Sequence, residues 1–153
     1  KIYVDEIAGI ASPSTVAIPG HVIQVVQTLV ETEQAYTSTS ITTTLYSASI
    51  TPSSTSSKIL IGVGFDLRKN NTARDGLLIK LYKDGSARKT FSTWNGYDLD
   101  DNHYNHFSNT YLDEPSTTSE ITYDIRVRTY GGNNFILNDS NSTGSLILME
   151  IAG

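Results

Sequence analysis

The segment from Trp94 to Phe107 concentrates the side chains best suited to chemistry. It holds the sole tryptophan, two of the three histidines, and Asp98, Asp100, Asp101, Asn102 and Asn105. Aromatic faces beside Asp and Asn acceptors are the groups that grip sugars: C–H groups stack on the ring and hydroxyls find paired acceptors. Trp94, Tyr97, Asp98, Asp100, His103, Tyr104 and His106 are therefore the candidate residues for a receptor or glycan. The structural alternative is a solvated loop whose Trp94 and Tyr97 plug the end of the fold. Two further loop surfaces are the polar stretch Asn138 to Gly144 and the basic-acidic turn Arg68 to Asp75.

Other chemistries find less support. His103 and His106, three apart, point to opposite faces of a strand and converge on a metal only across a bend. Asp98, Asp100 and Asn102 alternate like the start of a calcium loop. The sixth position of that loop is His103 rather than glycine, and the twelfth is Asn109 rather than glutamate. Neither a metal nor a cofactor is expected. Asp98, Asp100, Asp101, Asp113 and Glu114 offer carboxylates for glycoside hydrolysis, which needs a pair at a set distance in a cleft. No nucleophile elbow, phosphate loop or zinc-protease motif accompanies them, so a binding module rather than an enzyme is expected. Asn70-Asn71-Thr72, Asn138-Asp139-Ser140 and Asn141-Ser142-Thr143 match the glycosylation pattern, which carries meaning only in a secreted eukaryotic chain.

These side chains must be positioned by strands. Lys58 to Arg68 alternates, with Ile59, Ile61, Val63, Phe65 and Leu67 on one face. Leu77, Ile79 and Leu81 alternate next, before a Lys83-Asp84-Gly85 turn of the hairpin type. From Glu120 to Tyr130, Ile121, Tyr123, Ile125 and Val127 share a face opposite Asp124, Arg126 and Arg128. Period two over such lengths argues for half-buried antiparallel strands. Val22 to Val30, Ile41 to Ile50, Asn133 to Leu137 and Ser145 to Ala152 complete the set. No capped helix-period segment is present, so an all-β antiparallel β-sandwich, jelly-roll-like, is expected over residues 21–153. Its core is read as Ile59, Ile61, Val63, Phe65, Leu77, Ile79, Leu81, Ile121, Tyr123, Ile125 and Val127. Residues 1–20 read as a lead-in broken by Pro13 and by Pro19-Gly20.

Composition bounds the partners. The chain has 153 residues, enough for one domain with a real core, and no cysteine, which removes disulfides and thiolate chemistry. A net charge of −5 with scattered basic residues argues against nucleic acid. No apolar run approaches a membrane span. The chain starts at Lys1 and its only methionine is Met149, so it reads as a piece of a longer protein.

Four segments carry a family resemblance: Gly20-His21-Val22-Ile23-Gln24-Val25-Val26; Ile50-Thr51-Pro52-Ser53-Ser54 running on to Ser57-Lys58-Ile59-Leu60-Ile61; Tyr111-Leu112-Asp113-Glu114-Pro115 before Ile121-Thr122-Tyr123; and Leu146-Ile147-Leu148-Met149-Glu150-Ile151-Ala152-Gly153. Over residues 20–153 this set resembles the C-terminal domains of bacteriophage tail fibres and related virion fibre proteins. The resemblance implies a homotrimeric tip on the virion, following an upstream fibre shaft and touching a host-surface glycan or protein. A collar or decoration protein without receptor contact, and a secreted lectin-like jelly roll, are the alternatives. The two-sided apolar ending fits self-association: either Leu146 and Leu148 face the core and Ile147, Met149 and Ile151 face a neighbouring subunit, or the reverse.

Overall fold

A computed structural model describes residues 18–70, 74–98 and 102–153. They form ten strands: β1 (Val22–Val30), β2 (Gln34–Tyr36), β3 (Thr43–Ile50), β4 (Lys58–Lys69), β5 (Asp75–Lys83), β6 (Ser86–Asp98), β7 (His103–Asp113), β8 (Ile121–Thr129), β9 (Phe135–Leu137) and β10 (Gly144–Ile151). A single 3-10 turn, Asp139–Asn141, is the only helical element among the described residues. None of those residues belongs to a helix long and apolar enough to cross a membrane.

All pairings are antiparallel. β1, β10, β4 and β7 lie side by side in the first sheet, with β9 and β2 continuing beside the end of β4. The second sheet runs β3-β8-β5-β6. Among the eight long strands, first pairs with last (β1 with β10), second with seventh (β3 with β8), third with sixth (β4 with β7) and fourth with fifth (β5 with β6). The chain is thus one long hairpin ribbon rolled into two sheets, which is the jelly roll. Its tip is the two-residue turn Asp84-Gly85, both at positive φ (48° and 76°), as its sequence requires.

The core lies between the sheets. All eleven expected core residues are at most 4% exposed. Leu67, Leu146, Leu148, Phe107, Tyr46, Phe135 and Leu137 join them. Leu146 and Leu148 face inward, so Ile147, Met149 and Ile151 are the half-buried outer residues of β10. Gln24, Ser53 and Glu150 meet where β1 starts and β10 ends. Glu150 is buried and accepts bonds from the Gln24 amide (2.6 Å), the Ser53 N–H (2.7 Å) and the Ser53 hydroxyl (2.6 Å).

The expected loop from Trp94 to Phe107 is instead the end of β6 and the start of β7, with residues 99–101 outside the described residues. Rolling the ribbon gathers the end of β4, the starts of β5 and β7 and the β8–β10 connection, with the β1–β3 connection, at one end. Arg68 bonds Asn102 and Asp139, and Glu33 bonds Ser140 there. Ile18, His21 and Ala152 sit at the other end, joined by main-chain hydrogen bonds of 2.8–3.0 Å.

Candidate functional site

The sequence candidates divide between the two outer faces of the sandwich. On β7, Phe107 points into the core, so the even residues Tyr104 and His106 point out from the first sheet. On β4, Asp66 and Arg68 do the same. Cross-strand pairing sets Asp66 opposite His106 and Arg68 opposite Tyr104. His106 Nδ1 lies 2.8 Å from Asp66 Oδ1. The Arg68 guanidinium lies 5.7 Å from the Tyr104 ring centroid, donates 2.8–2.9 Å bonds to Asp139 Oδ1, and reaches Asn102 Oδ1 at 2.8 Å. The Asp139 hydrogen bond holds the Arg68 pKa above its ordinary value. Asp66, Leu67, Tyr104, Asn105, His106 and Asp139 line a cleft of about 470 Å³ at this end of the roll.

Tyr104 is 65% exposed, an aromatic face open to a ligand and flanked by carboxylates and a guanidinium. The sequence named Tyr104 and His106. Asp66 was visible only as an outward residue of β4, and Asp139 only as a member of a polar loop. Arg68 and Asp139 come from the two further loop surfaces that the sequence marked, and the ribbon's roll brings both to Tyr104.

Trp94 and Tyr97 stand on the outer face of the second sheet. Three residues apart, they would fall on opposite sides of a regular strand. Gly96, at φ +68°, makes a bulge: β5 advances two residues from Asp75 to Leu77 while β6 spends three between Asp98 and Asn95. The rings therefore meet, edge to face at 73° with centroids 5.2 Å apart. Trp94 also stacks on Tyr130 at 4.0 Å and 16°, and Arg128 lies 4.2 Å over the same Tyr130 ring. Tyr130 is thus the middle layer of a stack of three, since both neighbours cannot occupy one face.

Beneath this stack is Asp75, 1% exposed, with both oxygens occupied by N–H donors. Oδ1 accepts from Gly76, Tyr130 and Gly131 at 2.7–2.9 Å, and Oδ2 from the Asn133 main chain and amide at 2.9 and 3.1 Å. Burial raises the Asp75 pKa, but these donors outweigh it and hold the carboxyl below the ordinary range. Nothing in the sequence pattern marked Asp75, Arg128 or Tyr130 as partners of Trp94.

The remaining candidates separate further. Asp98 ends β6 with its backbone paired to Asp75, and Asp100 lies outside the described residues. His103, half-buried, faces the opposite side of β7 from His106. Asp113 is at the far end of β7, buried among Lys83, Arg88 and Tyr123. Asn138 is fully buried, accepting from the Tyr46 hydroxyl at 2.9 Å, so its glycosylation-type pattern is sealed in the core. Ile147, Met149 and Ile151 form no cleft with any of these residues; they belong to the outer face of the first sheet.

That face carries an apolar row across four strands, Val25–Met149–Leu60–Leu112, set by successive pairing. Val25 and Leu112 are 56% and 47% exposed. Below it run Gln27–Ile147–Gly62–Thr110 and Leu29–Ser145–Gly64–Ser108, and the two glycines open a trough of about 240 Å³.

No protein-family model and no curated protein sequence matches the chain. Solved structures of similar shape are the infectious bursal disease virus VP2 subviral particle and the Gx strain of the same virus. The first is 18% identical with a TM-score of 0.51, covering 85% of this chain and 33% of that one. The second is 16% identical at a TM-score of 0.48, covering 85% and 37%. This chain therefore spans about a third of the VP2 chain, and the likeness is one of fold.

Proposed function

We propose that the chain is a non-catalytic attachment module of a virion, carried as a homotrimeric fibre tip and binding a host-surface glycan. The observation that carries this reading is the position and content of the cleft. It sits at the end of the roll opposite Ile18 and Ala152, so a stem joined at that end presents the cleft outward. Its open Tyr104 ring, its carboxylates at Asp66 and Asp139 and the Arg68 fork supply both the stacking face and the paired polar groups that sugars require. The resemblance to phage tail fibres supports the setting, and the jelly-roll likeness to VP2 supports a viral structural fold. Upstream fibre proteins would then be its partners on the particle.

The test is adsorption of the labelled domain to a panel of bacterial cells, before and after periodate oxidation of surface glycans. Binding should vanish on oxidation and in the Tyr104→Ala/Asp66→Asn double variant. Binding that survives in the double variant removes the cleft from this role. The apolar outer face of the first sheet favours a second reading, a collar or decoration protein held only by contacts between copies. That reading gains if no cell type binds the domain while Met149→Lys breaks its self-association.

A further inference from the structure

The corner on the opposite sheet is a separate feature. We propose that Trp94 and Tyr97 form a second binding site there, which takes the C–H face of an uncharged pyranose. It lies on the other outer face from the cleft, and it stands or falls independently of it.

Three observations carry the proposal. First, the corner is rigid. One face of Trp94 is held by Tyr130, Tyr130 is backed by Arg128, and the turn bearing Tyr130 is clamped by the buried Asp75. Gly76 is what lets Trp94 pack this close: a Cβ there would stand 2.7 Å from Trp94 Cε3 and 3.2 Å from its Cα. A strand glycine where another group approaches this closely is there for fit rather than freedom. Secondly, the corner is open. Trp94 is 52% and Tyr97 49% exposed, although each is large and apolar. Two rings at 73° offer a floor and a wall to one ligand ring, and a bulge built by Gly96 is needed to bring them together.

Thirdly, the charge pattern selects the ligand. The two charged groups of the cluster are committed: Asp75 has its oxygens filled, and Arg128 lies on the far face of Tyr130 from Trp94. An ionic ligand therefore gains nothing here, and the chain's net charge of −5 opposes an anion. The open apolar surface is confined to two rings, far less than the roughly 800 Å² a side of a stable protein interface. The neighbouring outer residues Arg126 and Tyr82 are already stacked on each other at 4.3 Å. A sugar ring, apolar on one face and hydroxylated at its rim, fits both the area and the charge.

Trp94 is the only tryptophan, so the site reports on itself. The full chain is titrated with methyl β-D-glucopyranoside and methyl β-D-galactopyranoside, and with glucuronate as the charged counterpart, following tryptophan emission. The expected result is a saturable change with at least one neutral pyranoside in the millimolar range and markedly weaker binding of glucuronate. Tyr97→Ala, a surface change that leaves the core intact, should raise the half-saturation concentration roughly tenfold, the worth of one aromatic contact. Gly76→Ala should do the same by tilting the indole, with circular dichroism confirming the fold. Tyr104→Ala, in the cleft, should leave the titration unchanged. The proposal is overturned if neither pyranoside changes the emission, if Tyr97→Ala leaves the response intact, or if glucuronate binds as well as the neutral sugars.

Discussion

At the scale of single residues, three buried carboxylates hold the roll together. Asp113, 1% exposed, joins β7 to β5, β6 and β8 by accepting from Lys83 (3.1 Å), Arg88 (2.8 Å) and the Tyr123 hydroxyl (2.8 Å). The Lys83 and Arg88 side chains are 22% and 45% exposed and find water if the acid is lost. The Tyr123 hydroxyl is buried and does not, so Asp113→Ala should cost roughly 1–3 kcal/mol, mostly from that stranded group, read by urea denaturation. Asp113→Asn, which keeps an acceptor, should cost less. For Asp75, Asp113 and Glu150 alike, burial raises the pKa, but hydrogen bonds overcome it and the net shift is downward. A carboxyl whose folded pKa is lowered stabilises the fold above its unfolded value and loses that contribution as pH falls through the folded value. Melting temperature should hold level down to about pH 5 and then drop steadily below about pH 4, the ordinary carboxylate range. A level profile down to pH 2.5 would contradict this account. The Glu150 cluster also explains three segments that stood out in the sequence. Gln24 and Ser53 are both tied to Glu150, and no pattern in the residues marked a structural carboxylate as their link.

At the scale of elements, alternation made β4, β5 and β8 readable because each is packed on one face by the opposite sheet and paired on both edges. β6 and β7 were not readable. Each is an outer strand of its sheet, and the inward positions of β7 are His103, Asn105, Phe107, Asn109, Tyr111 and Asp113, of which Phe107 is the one buried hydrophobic residue and Asp113 is buried through its charge partners. A strand held mostly by hydrogen bonds to one neighbour leaves little hydrophobic period behind it. The split of the candidate site follows from the same cause. Once the segment is two strands rather than a loop, alternation and the Gly96 bulge send its aromatic residues to opposite sheets. The outer trough gives the clearest element-level expectation. A Cβ built on Gly62 meets nothing within 4 Å, so the chain's own packing does not ask for glycine in the middle of β4. Valine has the better strand propensity, and Gly62→Val should hold or raise the stability of the isolated subunit by up to about 1 kcal/mol. If a neighbouring copy packs over the trough, the same change should abolish association. Thermal melts and sedimentation velocity on one sample read both effects, and an unchanged oligomer would show that nothing covers Gly62.

At the scale of the whole molecule, the roll separates tasks by direction. The cleft crowns one end, the described chain enters and leaves at the other, the Trp94 corner occupies the outer face of the second sheet, and the apolar row occupies the first. An uncharged edge strand, Val22–Val30, borders that row, with Val22, Ile23, Val25 and Leu29 all 43–56% exposed. Exposed apolar edges of this length invite pairing with another chain. Copies of the chain repel one another, each carrying −5, yet the row that would bring them together is apolar along its length, and the Lys58–Glu114 pair lies beside it. The balance therefore depends on salt in a definite sense. Lengthening the Debye screening distance from about 8 Å at 0.15 M to about 30 Å at 0.01 M strengthens the repulsion but leaves the apolar contact untouched. Association should tighten as salt is added over this range, the reverse of an interface built on ion pairs. Sedimentation velocity at 10, 50 and 150 mM salt, in the micromolar range, is the measurement. The proposed homotrimer should gain population at each step, and Val25→Lys/Met149→Lys should remain monomeric throughout. In the proposed attachment role, three cleft-bearing ends on one stem would turn a weak single-site contact into firm attachment without new contacts. A trimer that loosens with added salt would move the interface away from this face to one held by charge.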